Sequence, residues 1–383
     1  MKKNYYISGF DAYINTIIYG LIYLILFIPG IIFAQGSEKT LVFNGIDKAI
    51  DLGDSLANNC RTLEMWFKPY EDINSSTTPI SLIVRDFNNG DGLSTNEFQI
   101  CFIPDSWSGG GLGGKIAFYR RIGSTRYEIF SDRNEWSANH WYHVAVTIEE
   151  IEGMKMYING VLQKSTDPST APIKPQSGHI TDKVSIGKWG YPDVRYFHGE
   201  IDEVRIWETE KSASDIRSKM CSKLNSNESG LRAYYKFDTE SANLLIDDSK
   251  NNNDGQLLNM NIDDWKYSGA PIGDTSTYFY ANNLAGQSLT LSTGPGDSFL
   301  VDHINSIAKG IQIYKVNYPP NSLTNLKDPL TGNYYGVFLC DISGSFNFFY
   351  DYSDYNCTAC DNISSRNDNA ILFWTDVDGK NSN

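Results

Sequence analysis

Alternating apolar and polar positions predict short β-strands along most of the chain. In the run 144–148 (Val-Ala-Val-Thr-Ile), every second residue is β-branched and apolar, which is typical of a strand with one buried face. The run 154–158 alternates in the same way and ends at Asn159-Gly160, a pair that favours a tight turn. We therefore expect a hairpin that joins this run to residues 161–162.

Runs of the same kind recur on both sides of this segment, each bounded by Gly, Asn, Asp or Ser. Many short strands with turn signals between them indicate a sandwich or a barrel, so the sequence predicts an all-β fold. The further strands predicted before residue 240 are 41–43, 49–52, 62–67, 80–87, 97–103, 115–121, 127–131, 197–207 and 231–237.

One short helix is predicted, over residues 212–224. Ile216, Met220 and Leu224 recur at every fourth position and therefore share one face, and Ser212 is a good residue to cap the first turn. We expect this helix to lie across the sandwich as a cover.

Composition changes near Ser268, where we place a domain boundary. The stretches 251–255 and 268–273 are rich in Asn, Gly and Pro, which mark turns and loops. Beyond them we predict a second β-rich, sandwich-like domain over residues 268–383. The chain stops soon after the last strand-like run, so we expect this domain to be incomplete and the chain to be part of a longer protein. The strand-like runs are 276–280, 287–292, 311–316, 334–340, 346–352 and 370–375.

Residues 1–34 predict a secretory signal peptide. Two lysines precede an apolar run at 17–33, and the small residue Ala34 follows it. A membrane anchor is the competing interpretation, because the run approaches the ~20 residues that a spanning helix needs. No later segment is as apolar, so we expect a secreted protein, extracellular or on the outer cell surface, without a membrane span after cleavage of the leader.

The charge of the chain narrows the classes of partner. Acidic residues outnumber basic ones by 46 to 32, for a formal net charge of −14. This balance argues against nucleic acid, because phosphate binding needs a basic surface. The six cysteines of an exported chain point to disulfides rather than to thiol chemistry.

Residues 139–207 carry a resemblance to a known family. The motifs are His-Trp-Tyr-His-Val-Ala-Val-Thr (140–147), Met-Tyr-Ile-Asn-Gly-Val-Leu (156–162), Ser-Ile-Gly-Lys-Trp (185–189) and Gly-Glu-Ile-Asp-Glu-Val-Arg-Ile-Trp (199–207). In this order they are similar to the laminin G-like branch of the concanavalin A-like lectin/glucanase superfamily. The resemblance implies a two-sheet antiparallel jelly roll for residues 35–267 and a non-catalytic module that binds carbohydrate or a surface protein. The region after it resembles modules that follow such domains in large secreted proteins of Bacteroidetes-type bacteria.

The same resemblance raises an enzymatic alternative. Glucanases of the superfamily place three acids on one strand as Glu-x-Asp-x-Glu, or with one more residue before the last Glu. Here Glu200 and Asp202 fit, but Val204 or Arg205 stands where the third acid belongs, and we expect Glu203 to point to the opposite face. A non-catalytic module is therefore predicted. A glycoside hydrolase and a purely architectural spacer remain the alternatives.

The resemblance also implies a structural calcium ion where the first strand passes the Glu200 stretch. Its predicted ligands are Asp47, Asp202 and oxygen atoms near Asn44, because calcium takes carboxylate and carbonyl oxygens.

Sugar recognition needs an aromatic ring for the sugar face, with polar groups beside it. Loops of the predicted fold supply four such rings as candidate ligand-binding residues: Trp107, Trp189, Tyr191 and Tyr196.

The implied jelly roll also suggests a disulfide. It brings the strand after Cys60 and the helix that contains Cys221 into one body, and we predict that these two cysteines pair. A bridge from Cys60 to Cys101 stays open as a competitor. The second domain is expected to form its own bridge among Cys340, Cys357 and Cys360.

Overall fold

The computed structural model describes most of the chain between residues 38 and 350. The predicted leader, Cys357 and Cys360 lie outside the described residues. Within them, no helix is long and apolar enough to cross a membrane. The described ranges are 38–54, 56–74, 79–85, 97–105, 110–174, 183–189, 196–294, 297–305, 309–317, 334–340 and 345–350.

Two eight-stranded antiparallel sheets form the sandwich, which confirms the predicted all-β, two-sheet fold. The first sheet contains, in spatial order, β10 (Val161–Leu162), β9 (Gly153–Ile158), β8 (Tyr142–Glu149), β3 (Thr62–Pro69), β12 (His198–Trp207), β1 (Lys39–Asn44) and β16 (Trp265–Tyr267), with β13 (Leu231–Tyr235) also paired to β12. The second sheet contains β14 (Leu244–Leu245), β15 (Gly255–Leu258), β2 (Ala49–Asp51), β11 (Val184–Ile186), β4 (Ile80–Arg85), β5 (Phe98–Phe102), β6 (Ile116–Ile122) and β7 (Thr125–Phe130).

The region after Ser268 forms two three-stranded sheets among the described residues. One contains β17 (Thr275–Tyr280), β20 (Gly310–Val316) and β21 (Tyr334–Cys340); the other contains β18 (Leu289–Gly294), β19 (Asp297–Asn305) and β22 (Ser345–Tyr350). Strand β19 was not predicted, because Asp302 and His303 interrupt its apolar run. A parallel bridge between Ser222 and Gly273 joins this region to the sandwich. The domain boundary near Ser268 stays a prediction.

The main core lies between the two large sheets. The β-branched face predicted for β8 is buried there, with Val144, Val146 and Ile148 each at most 1% exposed. Phe67 of β3 stacks on the ring of Tyr142, with 5.6 Å between centroids. Because a fully buried apolar side chain contributes about 1.5–3 kcal/mol, this layer supplies the main driving force for folding.

The predicted helix is present as α1 (Ala213–Lys219), shorter than expected. Ser212 caps the first turn as predicted, and it forms a capping box with Asp215, in which each side chain binds the other's backbone amide. The helix stops early because the next carbonyl groups bind side chains of the first sheet. The indole of Trp66 donates to the carbonyl of Met220 at 2.8 Å.

A β-bulge in β12 changes which side chains share a face. Asp202 lies opposite Trp66, but Arg205 lies opposite Glu64, so two residues of β12 face one residue of β3. Glu203 takes the left-handed backbone conformation, with φ of 53°, that such an insertion requires. The expectation that Glu203 points away from Asp202 is therefore wrong.

The bulge places Glu203 beside Arg205 on the outer face of the first sheet, under α1. The Arg205 guanidinium lies 2.7 Å from Glu203 Oε2 and 3.8 Å from Glu64 Oε1. It also donates to the carbonyls of Lys219 and Ser222 at 2.9 and 2.8 Å. Arg205 is 1% exposed, so this buried cation joins two carboxylates of the sheet to the segment that follows the helix.

Aromatic and imidazole groups complete the contacts of the two carboxylates. Tyr234 donates to Glu203 Oε2 at 2.7 Å, and Trp207 donates to Glu64 Oε1 at 2.8 Å. His143 Nε2 lies 3.4 Å from Glu64 Oε2. Burial raises the pKa of Glu64, but the hydrogen bond from His143 and the nearby Arg205 charge outweigh it and leave this pKa below 4.5. Burial lowers the pKa of His143 below 6.5, so the imidazole is neutral at pH 7.

The predicted disulfide between Cys60 and Cys221 is absent. Both residues are buried thiols, and they belong to different core clusters. Cys60 lies in the sandwich core, whereas Cys221 lies on the outer face of the first sheet with Cys340. The bridge is not formed because the sheet itself separates the two sites. Cys101, the competing partner, is also a buried thiol.

We expect Arg205→Met to lower the free energy of unfolding by about 3–5 kcal/mol, because it leaves two buried carboxylates without their cation. Urea unfolding measures this loss. Arg232→Met is the matched control, since Arg232 forms a half-exposed 3.4 Å ion pair with Glu208 and should cost about 1 kcal/mol or less. Equal losses in the two variants would contradict the assigned role of Arg205.

The lowered pKa of His143 predicts a pH dependence of stability. Unfolded His143 gains a proton near pH 6.5, whereas the folded imidazole does so only at lower pH. The stability that neutral His143 contributes is therefore present above pH 6.5 and is lost as the pH falls below it, by at most about 1.4 kcal/mol per pH unit. We expect the stability difference between wild type and His143→Gln to shrink between pH 7.5 and 5.5 in urea unfolding. A difference that grows instead would show that folded His143 is charged.

Candidate functional site

The strand registers gather several connections at one end of the first sheet. Asn44, the last residue of β1, lies opposite His198, the first residue of β12. Pro69, the last residue of β3, lies opposite Gly199. Strand β8 begins at Tyr142, opposite Phe67. We call this the Asn44 end of the sandwich.

Connections of the second sheet reach the same end. The loop after β11 returns to β12 with a 2.8 Å hydrogen bond from the Phe197 amide to the Gly187 carbonyl. Phe197 in turn accepts from the Gly45 amide at 3.0 Å. Gly187 has φ of 80°, and a Cβ there would lie 2.2 Å from the Phe43 ring, so only glycine allows this closure. The neck of the 187–197 loop is thus fixed against the first turn of the chain.

Two of the four predicted aromatic residues are described, and they flank this neck. Trp189 and Tyr196 are both half-buried, two residues after Gly187 and one residue before Phe197. The structure therefore brings these two predicted ligand-binding residues to the Asn44 end. Trp107 and Tyr191 lie outside the described residues.

A cluster that the sequence did not reveal lies beside the neck, on the outer face of the first sheet. We call it the Tyr70 cluster: Lys68, Tyr70, Trp141, His198 and Glu200. Glu200 Oε1 accepts from Tyr70 at 2.7 Å and lies 2.6 Å from the Lys68 ammonium. The Lys68 ammonium also lies 5.3 Å from the Trp141 ring, and the His198 ring is 5.5 Å from the Tyr70 ring.

The Tyr70 cluster combines half-exposed rings with hydrogen-bonding groups. Tyr70, His198 and Lys68 are each partly exposed, whereas Glu200 is 3% exposed. Burial, and then the Glu200 charge, raise the pKa of Tyr70, so its hydroxyl remains a donor to that carboxylate. Trp141 is 6% exposed, and its buried indole N–H has no hydrogen-bond partner. The sequence held only one signal of this site, the aromatic residue directly after the strand-ending Pro69.

The three acids of the glucanase-like motif have structural partners. Glu200 accepts a hydrogen bond from Tyr70 and forms an ion pair with Lys68, and Glu203 forms an ion pair with Arg205. Asp202 is fully buried and accepts from the Ser268 hydroxyl at 2.5 Å and from the Glu203 amide at 2.8 Å. The bulge puts all three on one face, yet each carboxylate stabilises a different part of the fold.

The structure does not bring the predicted calcium ligands together. Asn44 Oδ1 accepts from the amides of residues 46–48, and Asn44 Nδ2 donates to Asp47 Oδ1 at 2.8 Å. Asp202 lies opposite Thr40, four positions along β1 from Asn44, which is about 13 Å at ~3.3 Å per residue. Among the described residues, no group of three or more His, Cys, Asp or Glu side chains could hold a metal ion. The three residues therefore do not fit a single calcium site.

Comparison with known proteins finds a family match within the sandwich. Residues 44–217 match a laminin G family described as the Concanavalin A-like lectin/glucanases superfamily. The resemblance predicted from the sequence is confirmed for this segment.

One protein sequence and two solved structures are similar to parts of this chain. The human adhesion G-protein coupled receptor D1 is 31% identical over 128 residues, which cover 33% of this chain and 13% of the receptor. A putative carbohydrate binding protein from Bacteroides ovatus is 19% identical, with a TM-score of 0.46, over 63% of this chain and 62% of that one. A pentraxin from Limulus polyphemus is 15% identical, with a TM-score of 0.34, over 48% of this chain and 81% of that one. The chain thus spans a small part of the receptor and less than two thirds of the Bacteroides protein.

We expect Asp202→Asn to lower the free energy of unfolding by about 1–3 kcal/mol, because a buried carboxylate loses its charge-assisted hydrogen bonds. The loss should be the same in EDTA and in excess calcium chloride, since Asp202 lies far from the Asn44 turn. Urea unfolding in both solutions measures it, with Asp47→Asn as the matched exposed control. A larger loss in calcium would place the ion on Asp202.

Proposed function

We propose that this protein, whose residues 44–217 match the laminin G family, is a secreted or cell-surface module that binds a glycan without catalysing its cleavage. The Asn44 end is the proposed binding surface. The Tyr70 cluster is the observation that carries the proposal, because it sets a half-exposed ring beside a carboxylate, an ammonium and an imidazole.

The chemistry of the cluster suits a sugar. An aromatic ring packs against the C–H face of a pyranose, while the flanking polar groups bind its hydroxyls and fix its orientation. Tyr70 offers the ring and the partly exposed Lys68 offers a donor. The buried Glu200 positions both, since its Oε1 accepts from the Tyr70 hydroxyl at 2.7 Å and lies 2.6 Å from the Lys68 ammonium. Trp189 and Tyr196 lie at the neighbouring loop neck and extend the aromatic surface.

The cluster is also held rigidly. This favours binding, because little conformational entropy is lost when the ligand binds. Lys68 and Glu200 are directly opposite residues of β3 and β12. His198 begins β12, and Tyr70 is tied to it by a 3.1 Å backbone hydrogen bond. The site thus sits on paired strands rather than on a free loop.

A surface protein is the second candidate partner, since the family match does not distinguish it from a glycan. The architectural spacer and the glycoside hydrolase are the remaining alternatives. The secreted location rests on the leader pattern of residues 1–34. The calcium ion predicted with Asn44, Asp47 and Asp202 as ligands stays a prediction, although Asp202 lies apart from the other two.

We expect the purified protein to bind a subset of a glycan array, and Tyr70→Ala and Trp189→Ala each to weaken the leading interaction about tenfold or more, ~1.4 kcal/mol. Calorimetry with the leading glycan measures the affinities. Tyr70→Phe keeps the ring but loses the hydrogen bond to Glu200, so we expect a smaller loss.

Tyr267→Ala is the control, since Tyr267 is 64% exposed but lies five positions along β1 from Asn44, about 16 Å. Unchanged affinity in the Tyr70 and Trp189 variants would reject the Asn44 end as the site. Cleavage of the bound glycan, lost in Glu200→Gln, would reject the non-catalytic role and support the hydrolase.

A further inference from the structure

A depression lies at the end of the sandwich opposite the Asn44 end, away from the proposed glycan-binding surface. Strand β5 begins there at Phe98, directly opposite Arg120 near the end of β6. The depression is shallow, and the space in it amounts to about 170 Å³ only when the open solvent above it is included. Its lining residues are Glu97, Phe98, Arg120, Arg121, Ile122, Pro172, Ile173 and Lys174.

Arg120 is the unusual member of this lining. Its side chain is 2% exposed, and Nη2 donates to the Ser169 hydroxyl at 2.9 Å. Its Nε and Nη1 atoms are buried and have no hydrogen-bond acceptor. No carboxylate forms an ion pair with it in the described part of the chain; Asp167 acts on it only through longer-range attraction.

A buried guanidinium with unused donors is costly. Each unsatisfied buried N–H loses its water without gaining a partner, and the charge itself is desolvated. Burial accordingly lowers the pKa of Arg120 to about 10, in spite of the attraction from Asp167. Buried polar groups are almost always paired, so these donors call for a partner outside the chain.

The surroundings of Arg120 favour a negative partner. The lining holds three cationic side chains, Arg120, Arg121 and Lys174, against one carboxylate, Glu97. That carboxylate is already engaged, since Glu97 Oε1 lies 3.1 Å from Arg121 Nε and also accepts from the Tyr119 hydroxyl. The depression therefore keeps an excess of positive charge although the whole chain carries −14.

The walls of the depression are held in place. The Ile173 backbone exchanges hydrogen bonds with Asn59 and Cys60 at 2.7 and 2.9 Å. Arg85 donates to the Lys174 carbonyl at 2.5 Å. A fixed wall keeps the Arg120 donors at one position, which lowers the entropic cost of binding.

We propose that this depression is an anion site, in which the Arg120 guanidinium binds a carboxylate or sulfate group, with Arg121 and Lys174 at its rim. Oxyanions are the acceptors that guanidinium groups favour, because both the charge and the hydrogen-bond geometry match. A water molecule would accept the hydrogen bonds but leave the charge uncompensated. Phe98, Ile122 and Pro172 add an apolar wall suited to the ring of an acidic sugar.

Calorimetry on the purified protein tests the site with three probes: sodium glucuronate, sodium sulfate and uncharged glucose. We expect saturable binding of glucuronate, and no binding of glucose that depends on Arg120. Glucuronate bound much more tightly than sulfate would assign the site to an acidic sugar, whereas equal affinity would assign it to free oxyanions; both results support an anion site. Two results overturn the proposal: neither anion binds, or glucose binds and Arg120→Met weakens its binding as much as that of glucuronate.

Arg120→Met is the decisive variant, with an expected loss of affinity of about tenfold or more, because a charge-assisted hydrogen bond is removed. Lys164→Met removes the same charge from a side chain that is 87% exposed, and should leave binding unchanged. Anion binding that survives in Arg120→Met overturns the proposal.

Should that variant not fold, as judged by circular dichroism, the double variant Arg121→Gln/Lys174→Gln takes its place, with an expected weakening of about threefold or more. Binding unchanged in the double variant would equally overturn it.

Discussion

The buried cation Arg205 is the interaction on which the arrangement of the molecule depends. It compensates two carboxylates on the outer face of the first sheet and binds the carbonyls that end α1. An unpaired buried charge is so unfavourable that helix, sheet and bulge must form together. The bulge at Glu203 supplies the second carboxylate, so a strained backbone position is retained for an electrostatic reason. The apolar core drives folding, whereas the contacts of Arg205 fix α1 on the outer face of the first sheet.

The same bulge separates structural from binding roles along β12. Beyond it, Glu203 and Arg205 are buried under α1. Before it, Glu200 lies near the Asn44 end of β12 and contacts Tyr70 and Lys68. Strand β12 therefore holds α1 on the sheet at one end and places polar groups beside half-exposed rings at the other. A motif that resembles a catalytic triad of acids is divided between these two tasks.

Local patterns predicted the parts of the fold that depend on nearby residues. Period-two alternation identified the inward face of β8, and Ser212, a residue type that favours the start of a helix, identified the helix cap. Contacts between distant strands were not predictable in this way: the Tyr70 cluster joins β3, β12 and the residue before β8. The bulge did leave a signal, since Ile201 and Val204, both inward-facing, stand three residues apart instead of two. The predicted disulfide failed because proximity in one body does not place two cysteines on the same side of a sheet.

Binding of a glycan at the Asn44 end is the central claim, and hydrogen–deuterium exchange of the full chain with its leading array glycan tests it most directly. The account predicts slower exchange in peptides covering 44–48, 68–74 and 187–198. Exchange should be unchanged in 149–154, the turn between β8 and β9 at the other end of the first sheet. Protection confined to other parts of the chain, or none at a saturating glycan concentration, would contradict it.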